Sequence, residues 1–318
     1  MTALLFDGDR ADEVEWTGVL PRIGRSALLW IDLEKPTEDE VADLVSALDL
    51  DPECASAILD DRTEPVLGDH GDYLHVRALG ISDPRDRQLV TVDCIVSKRW
   101  VVTARDDAVE VVEQFRERAE GSGSVGRIDG LGFLANLLEW ALTSYLEAFE
   151  ALEADLDEID TQAMSGRVAS ADQALADLVD MRREVGRLRR ALVLHREVVL
   201  ALTRPELEAI GTSDSAERFA VLRGRLEDAV QASRDSRDSI VGSFDVLQAS
   251  TTRRTNEIMK VLTLASVLLL PGALLAGIMG MNFKVGLFET AAYFWVVIGV
   301  ILAVALATVG VARAREWI

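Results

Sequence analysis

Near the C-terminus the chain carries two stretches without a charged side chain, "VLTLASVLLLPGALLAGIM" at 261–279 and "AAYFWVVIGVILAVALATVGVA" at 291–312. At ~1.5 Å of rise per helical residue, each is long enough to cross the ~30 Å hydrocarbon layer of a bilayer. The intervening "GMNFKVGLFET" (280–290) is too short for a domain, so the two spans form a tight hairpin. Arg253, Arg254 and Lys260 precede the first span and Arg313 and Arg315 follow the second, against Lys284 alone between them. Basic residues collect on the cytoplasmic side, which predicts both termini there and a cell (inner or plasma) membrane location. The opening "MTALLFDGDRADEVEW" places acids where a signal peptide has its apolar stretch, so the N-terminus is expected to stay in the cytosol.

Of the formal net charge of −21, the residues from Lys260 onward contribute +2, which leaves −23 on the soluble part. So acidic a body repels nucleic acid and attracts cations, although most of these carboxylates read as a solvated surface. Cys54 and Cys94 form no CxxC and read as reduced thiols. His70, His75 and His195 are too few and too scattered for a zinc triad, and no Walker motif is present. Nothing here points to an enzyme or to a bound cofactor.

Residues 1–120 read as a cytosolic domain of mixed α and β, of the α+β class. Strand-like runs lie at 27–33, 72–79, 89–98 and 99–105, rich in Val, Ile, Thr and aromatics. Thr37 and Glu40, after Pro36, have the spacing of a capping box at the head of a helix over 37–48. "GSGSVGRIDG" (121–130) is the flexible-looking linker. The pattern then turns helical. Over 131–212 apolar residues recur at three and four (Leu142, Leu146, Phe149, Leu152, Leu156, Ile159; Leu175, Leu178, Val179, Val185, Leu188, Leu192), predicting an antiparallel helical hairpin broken near Gly166. Its acidic face (Glu147, Glu150, Glu153, Asp155, Asp157, Glu158, Asp160) lacks accompanying His, Cys or Gly-rich loops and reads as solvated. From Asp214 and Glu217, again at capping-box spacing, no proline interrupts the chain until Pro271. One helix over 213–280 is therefore expected, about 100 Å long, with its membrane part at about 259–280 and an apolar seam of Phe219, Leu222, Leu226, Ile240, Phe244 and Leu247. The external loop at 281–290, a second span at 291–312 and a basic tail at 313–318 complete the order.

Continued into the membrane, one face of that helix reads Asn256, Met259, Leu262, Ser266, Leu270, Ala273, Gly277 and Gly280. The stripe is polar at its entrance, then bulky and apolar, then small. Small residues let helices pack closely; the same sequence also suits a pore wall, which two spans per chain enclose only as a ring of copies. "TNEIMKVLTLASVLLLPGALLAGIMGMNF" (255–283), with its Gly280-Met281-Asn282 triplet, resembles the first membrane helix and signature loop of the CorA family of divalent cation transporters. The order of parts matches over essentially the whole chain, with local echoes at 29–41 and 58–79.

The resemblance implies a homopentameric, funnel-shaped channel in which copies of the long helix line the pore and the second spans stand outside. Partners are then other copies of the chain, divalent cations and membrane lipid. Asn282 would contribute to an outer ring of amides that meets a hydrated Mg2+, an ion that sheds its waters reluctantly. Met259 and Leu262 fall where the family's pore narrows and closes by expelling water, with Asn256 on the cytosolic side. Two departures stand out: Ala273 replaces a hydroxyl-bearing residue, and Lys284 and Glu289 stand where Met-Pro-Glu often follows the triplet. Lys284 opposes cation capture on Coulomb grounds. Regulatory metal between subunits is a family trait, for which Asp228, Asp235 and Asp238 are candidate ligands. Co2+ and Ni2+ are expected to pass as well. The alternatives are a zinc transporter of the same fold and a membrane-anchored coiled-coil signalling or scaffold protein.

Overall fold

The computed structural model describes residues 1–7, 10–20, 23–24, 27–60, 64–107, 109, 112–113, 116, 129–165, 171–203, 213–281 and 291–314. These fall into two compact units, Met1–Ile159 with Asp172–Phe244, and Asp160–Ala171 with Asp245–Ile318.

The first unit is built on a seven-stranded sheet: β1 Thr2–Asp7, β2 Arg10–Glu13, β3 Ala27–Glu34, β4 Val66–Asp69, β5 Leu74–Ile81, β6 Leu89–Val96 and β7 Trp100–Arg105, in the order β2-β1-β3-β7-β6-β5-β4. Every neighbouring pair is antiparallel except β3 and β7, which run parallel with Ile31 opposite Val102. β3 is buried at seven of its eight positions and β5 at all eight, because both faces of the sheet are covered. Helices α2 Glu38–Leu48 and α3 Pro52–Ile58 cover one face, where Val41, Leu44 and Cys54 join Leu29, Ile31, Ile95 and Val102 in a core. One-turn helix α1 Trp16–Val19 adds Trp16 to it. The strands expected at 27–33, 89–98 and 99–105 are present. The one expected at 72–79 runs two residues later, and the β1–β2 hairpin, β4 and α3 had no expectation.

Local chemistry explains the joints. Thr37 and Glu40 form the capping box: the Glu40 amide donates to Thr37 Oγ1 at 3.3 Å and the Thr37 amide to Glu40 Oε2 at 3.0 Å. These donors hold the Glu40 carboxyl below its ordinary value. Long helices α4 Gly130–Met164 and α5 Ala171–Leu202 lie against the opposite face of the sheet, with Phe133 5.4 Å from the Trp30 ring. Gly80 permits this: a Cβ there would meet the Trp140 ring of α4 at 2.4 Å. Where β4 stops covering the β5 edge, two helix side chains take over. The Leu79 amide donates to His195 Nε2 of α5 at 3.1 Å, and the Ile81 amide to Ser144 Oγ of α4 at 2.8 Å. The sheet edge is thereby closed without another strand.

Two buried ionic clusters sit within the sheet. Asp93 accepts from Arg77 at 3.1 Å and meets His75 at 2.6 Å; Asp32 accepts from Arg105 at 3.1 Å, from Arg116 at 2.9 Å and from the Thr103 hydroxyl at 2.6 Å. Arg87 joins α4 to α5 through Asp155 and Glu184, both at 2.9 Å. Asp155 of the acidic face is thus paired rather than simply solvated, and Leu175, expected in the hairpin core, is 45% exposed. The linker at 121–128 and the break at 166–170 lie outside the described residues.

Helix α6, Ser213–Met279, is one unbroken element of 67 residues. Within the first unit its buried positions are Phe219, Leu222, Leu226, Ala229, Ser233, Ser236, Ile240 and Ser243, alternately three and four apart. That is the heptad spacing of a coiled-coil seam. Arg225 ties the helix to α4 through Glu139 at 2.7 Å.

Candidate functional site

In the second unit, the start of the membrane segment is fixed to the C-terminal end of α4. Ser250 Oγ donates to the Ala163 carbonyl at 2.6 Å and Arg253 Nη2 to the Met164 carbonyl at 2.9 Å. These are last-turn carbonyls that have no partner inside α4, so α6 serves as the cap. Beyond them α6 runs into its apolar stretch, and α7, Ala291–Ala314, supplies the second helix of membrane length. Trp295, in a T-shaped pair with Phe294 at 5.6 Å, stands exposed with it at the start of α7, where an amphipathic indole marks a bilayer interface.

The two helices touch along a defined face. On α6 the half-buried residues are Leu264, Leu268, Pro271, Gly272 and Leu275; on α7 they are Val297, Ile298, Ile301, Val304, Ala305 and Thr308. Gly272 marks close approach, since a Cβ there would rest 3.5 Å from Ile301 Cγ2.

The stripe residues Asn256, Met259, Leu262, Ser266, Leu270, Ala273, Gly277 and Gly280 are all exposed. Met259, Leu262 and Leu270 are 54%, 59% and 66% exposed, large apolar side chains with no cover from their own chain. Ser266, Leu270, Ala273 and Gly277 each lie about two residues beyond a position that touches α7. At ~100° per residue that is about 200° around the axis, so the stripe and the α7 contact occupy opposite sides of one helix. The Ser266 hydroxyl donates to the Leu262 carbonyl at 2.9 Å, which leaves its oxygen lone pairs outward on the stripe.

At the far end, the Gly280 amide closes onto the Ala276 carbonyl at 2.9 Å and that of Met281 onto Ile278 at 3.2 Å. Gly280 and Met281 therefore finish the helix, with Met281 52% exposed. Asn282, Lys284 and Glu289 lie outside the described residues.

Asp228, Asp235 and Asp238 are exposed on the side of α6 away from its buried seam, and Asp235 accepts from Gln231 at 2.8 Å. Ten residues of helix separate the first from the last, ~15 Å, too far for one ion within one chain. Among the described residues no group of three or more His, Cys, Asp or Glu side chains is placed to hold a metal. His75 is taken up by Asp93. His195 is fully buried, with Nδ1 against the Ala191 carbonyl at 3.0 Å and Nε2 on the Leu79 amide; burial pushes its pKa down to about 4. Cys54 and Cys94 are free and buried, and burial raises both thiols, that of Cys54 to about 12. None of these groups carries open chemistry.

The sequence stripe held no hint of Ser250 and Arg253 as the cap of α4, because their partners lie 87 and 89 residues away. It likewise could not show which face α7 takes.

Comparison with known proteins accords with this arrangement. A curated relative, the cobalt/magnesium transport protein CorA of Methanocaldococcus jannaschii, is 22% identical over 296 residues, covering 92% of each chain. The solved structure of the CorA magnesium transporter of that organism superposes with a TM-score of 0.78 at 20% identity, over 100% of this chain and 99% of that one. The ZntB cytoplasmic domain of Vibrio parahaemolyticus RIMD 2210633 reaches a TM-score of 0.63 at 10% identity over 80% of this chain and 98% of that one, a likeness of fold alone. The profile of a family described as CorA-like Mg2+ transporter protein matches residues 25–313, a range that runs from just before β3 to the end of α7. A match over so much of its length settles the family: this two-span membrane protein belongs to the CorA-like Mg2+ transporters.

Proposed function

We propose that the chain conducts divalent cations, Mg2+ first and Co2+ beside it, inward through a pore lined by the Asn256–Gly280 stripe of α6 in a ring of five copies. The observation that carries this reading is the opposition of the two faces of α6. One side is held by α7, and the other exposes three bulky apolar residues followed by small ones. With α7 toward lipid, the stripe of every copy turns to a shared axis.

Along that axis each residue type has a task. Asn282 presents amide oxygens to the hydrated ion at the outer mouth, which avoids the cost of stripping water from Mg2+. Neutral dipoles hold a dication less firmly than carboxylates and so release it. Met259 and Leu262 close the path by dewetting. Both termini face the cytoplasm. Driven by an inside-negative potential, a dication gains about 4.6 kcal/mol per 100 mV, enough for accumulation without a nucleotide. Asp228, Asp235 and Asp238 serve as metal ligands only between copies.

The test is flux of Mg2+, Co2+, Ni2+ and Zn2+ into liposomes holding the purified chain under an imposed potential. Mg2+ influx in the wild type, reduced at least about tenfold in Asn282→Ala, a loss of about 1.4 kcal/mol, is the expected result. No flux of any cation would reduce the hairpin to an anchor, and Zn2+ flux alone would move the chain to a zinc transporter.

A further inference from the structure

The last four carbonyls of α4, Thr161 to Met164, all have partners. Ser165, the residue after the helix, takes the first two: its amide donates to the Thr161 carbonyl at 3.0 Å and its hydroxyl to that of Gln162 at 3.1 Å. Helix α6 takes the other two, through Ser250 on Ala163 and Arg253 on Met164. Carbonyls at a helix end can turn to water or to a local cap, but half of these are committed to a second helix, inside one compact unit. The negative pole at the end of α4 also draws the Arg253 guanidinium. In this way α4 grips α6 about one turn ahead of Asn256.

The grip has a phase. Ser250 and Arg253 precede Leu268 and Pro271, both half-buried on the α7 side, by eighteen residues each, which is ~5 full turns. The α4 grip and the α7 contact therefore lie on one side of α6. Met259 stands nine residues from both Ser250 and Leu268, and Leu262 nine from both Arg253 and Pro271. Nine residues make ~2.5 turns, which carries a side chain to the opposite side of the helix. The two apolar residues of the stripe thus lie midway between two attachments that hold α6 from behind, one before them in the chain and one after. With both in place, the segment between them cannot turn about its axis. With the first one lost, α7 alone sets its phase.

We infer that Ser250 and Arg253 are positioning residues of the pore: by fixing α6 to the end of α4 they hold Met259 and Leu262 toward the shared axis and keep the closed path dry. The effect on flux rests on the proposed pore, whereas the grip and the phase that it sets do not.

The experiment reads access to position 259 directly, beside flux. Cys54 and Cys94 are buried, so the full chain carrying Met259→Cys in liposomes has one exposed thiol, whose rate of reaction with a water-soluble methanethiosulfonate reports how wet its surroundings are. Adding Ser250→Ala or Arg253→Met should speed that reaction about fivefold, the order of one net hydrogen bond. With Met259 intact, the same exchanges should raise Mg2+ leak at zero potential by a similar factor. Ser250→Thr and Arg253→Lys, which keep a donor within reach, should restore the slow reaction and the low leak. An unchanged reaction rate in Ser250→Ala and Arg253→Met overturns the inference. An equal rise in Ser250→Thr and Arg253→Lys overturns it too, since the bonds would then not be what matters, and so does a faster thiol without added leak in a chain that conducts Mg2+. If neither wild type nor variant passes any cation, the conduction reading falls, while the thiol rates still decide the grip.

Discussion

His195 shows how one side chain can hold two layers together. It accepts the Leu79 amide only while neutral, and burial depresses its pKa to about 4 against an ordinary 6.5. The unfolded chain therefore takes up the proton first as pH falls. Stability is full above about pH 6.5 and is lost progressively toward pH 4, by about 3 kcal/mol from this group. Thermal unfolding of the detergent-solubilised chain should show that loss in the wild type. In His195→Leu the melting temperature should be lower at pH 7.5, because the Leu79 amide is left without its acceptor, and its dependence on pH over this window flatter. Gly80→Ala should cost about 1–3 kcal/mol, since the new methyl drives into the rigid Trp140 ring. The sequence set His195 aside only as too scattered for a zinc triad, which was as far as it reached: the partner amide is 116 residues away. Thr37 and Glu40, in contrast, were legible because a capping box closes within four residues.

On the scale of single elements, α6 was readable in outline and misread in its middle. Its buried positions Ala229, Ser233 and Ser236 are small or polar, so a search for apolar residues passes from Leu226 to Ile240 and misses the unbroken three-four spacing between them. Ser236 is fully buried at this seam. Ser236→Leu should overpack it and lower the melting temperature, equivalent to about 1–3 kcal/mol, whereas Asp235→Ala on the exposed side should change stability by less than about 0.5 kcal/mol. The stripe itself was legible as a pattern of residue types. Its exposure, and its place opposite α7, required the second helix. If Met259 and Leu262 form the closed constriction, Met259→Gly with Leu262→Gly should raise Mg2+ leak into liposomes at zero potential. Unchanged leak would remove them from that task.

For the molecule as a whole, the order of parts was visible because membrane-length runs, the proline-free stretch and the triplet are long or specific signals. The sheet's outer strands were not. β1 and β2 pair within the first 13 residues, "TALLFD" and "RADE", too short and too mixed to stand out before their partner β3 is known. Assembly is the largest property that one chain leaves open to test. Mass measurement in detergent should give five copies, and four or six would require a different pore. The continuity of α6 from Ser213 to Met279 carries a geometric consequence of its own. A rod without a joint keeps phase: one extra alanine near Ala249 would turn every residue downstream by ~100° and swing Asn256, Met259 and Leu262 off the axis, while seven extra residues would return them to within ~20°. Transport should fall silent with the single insertion and recover with the seven, as a periodic function of added length rather than a graded response to it.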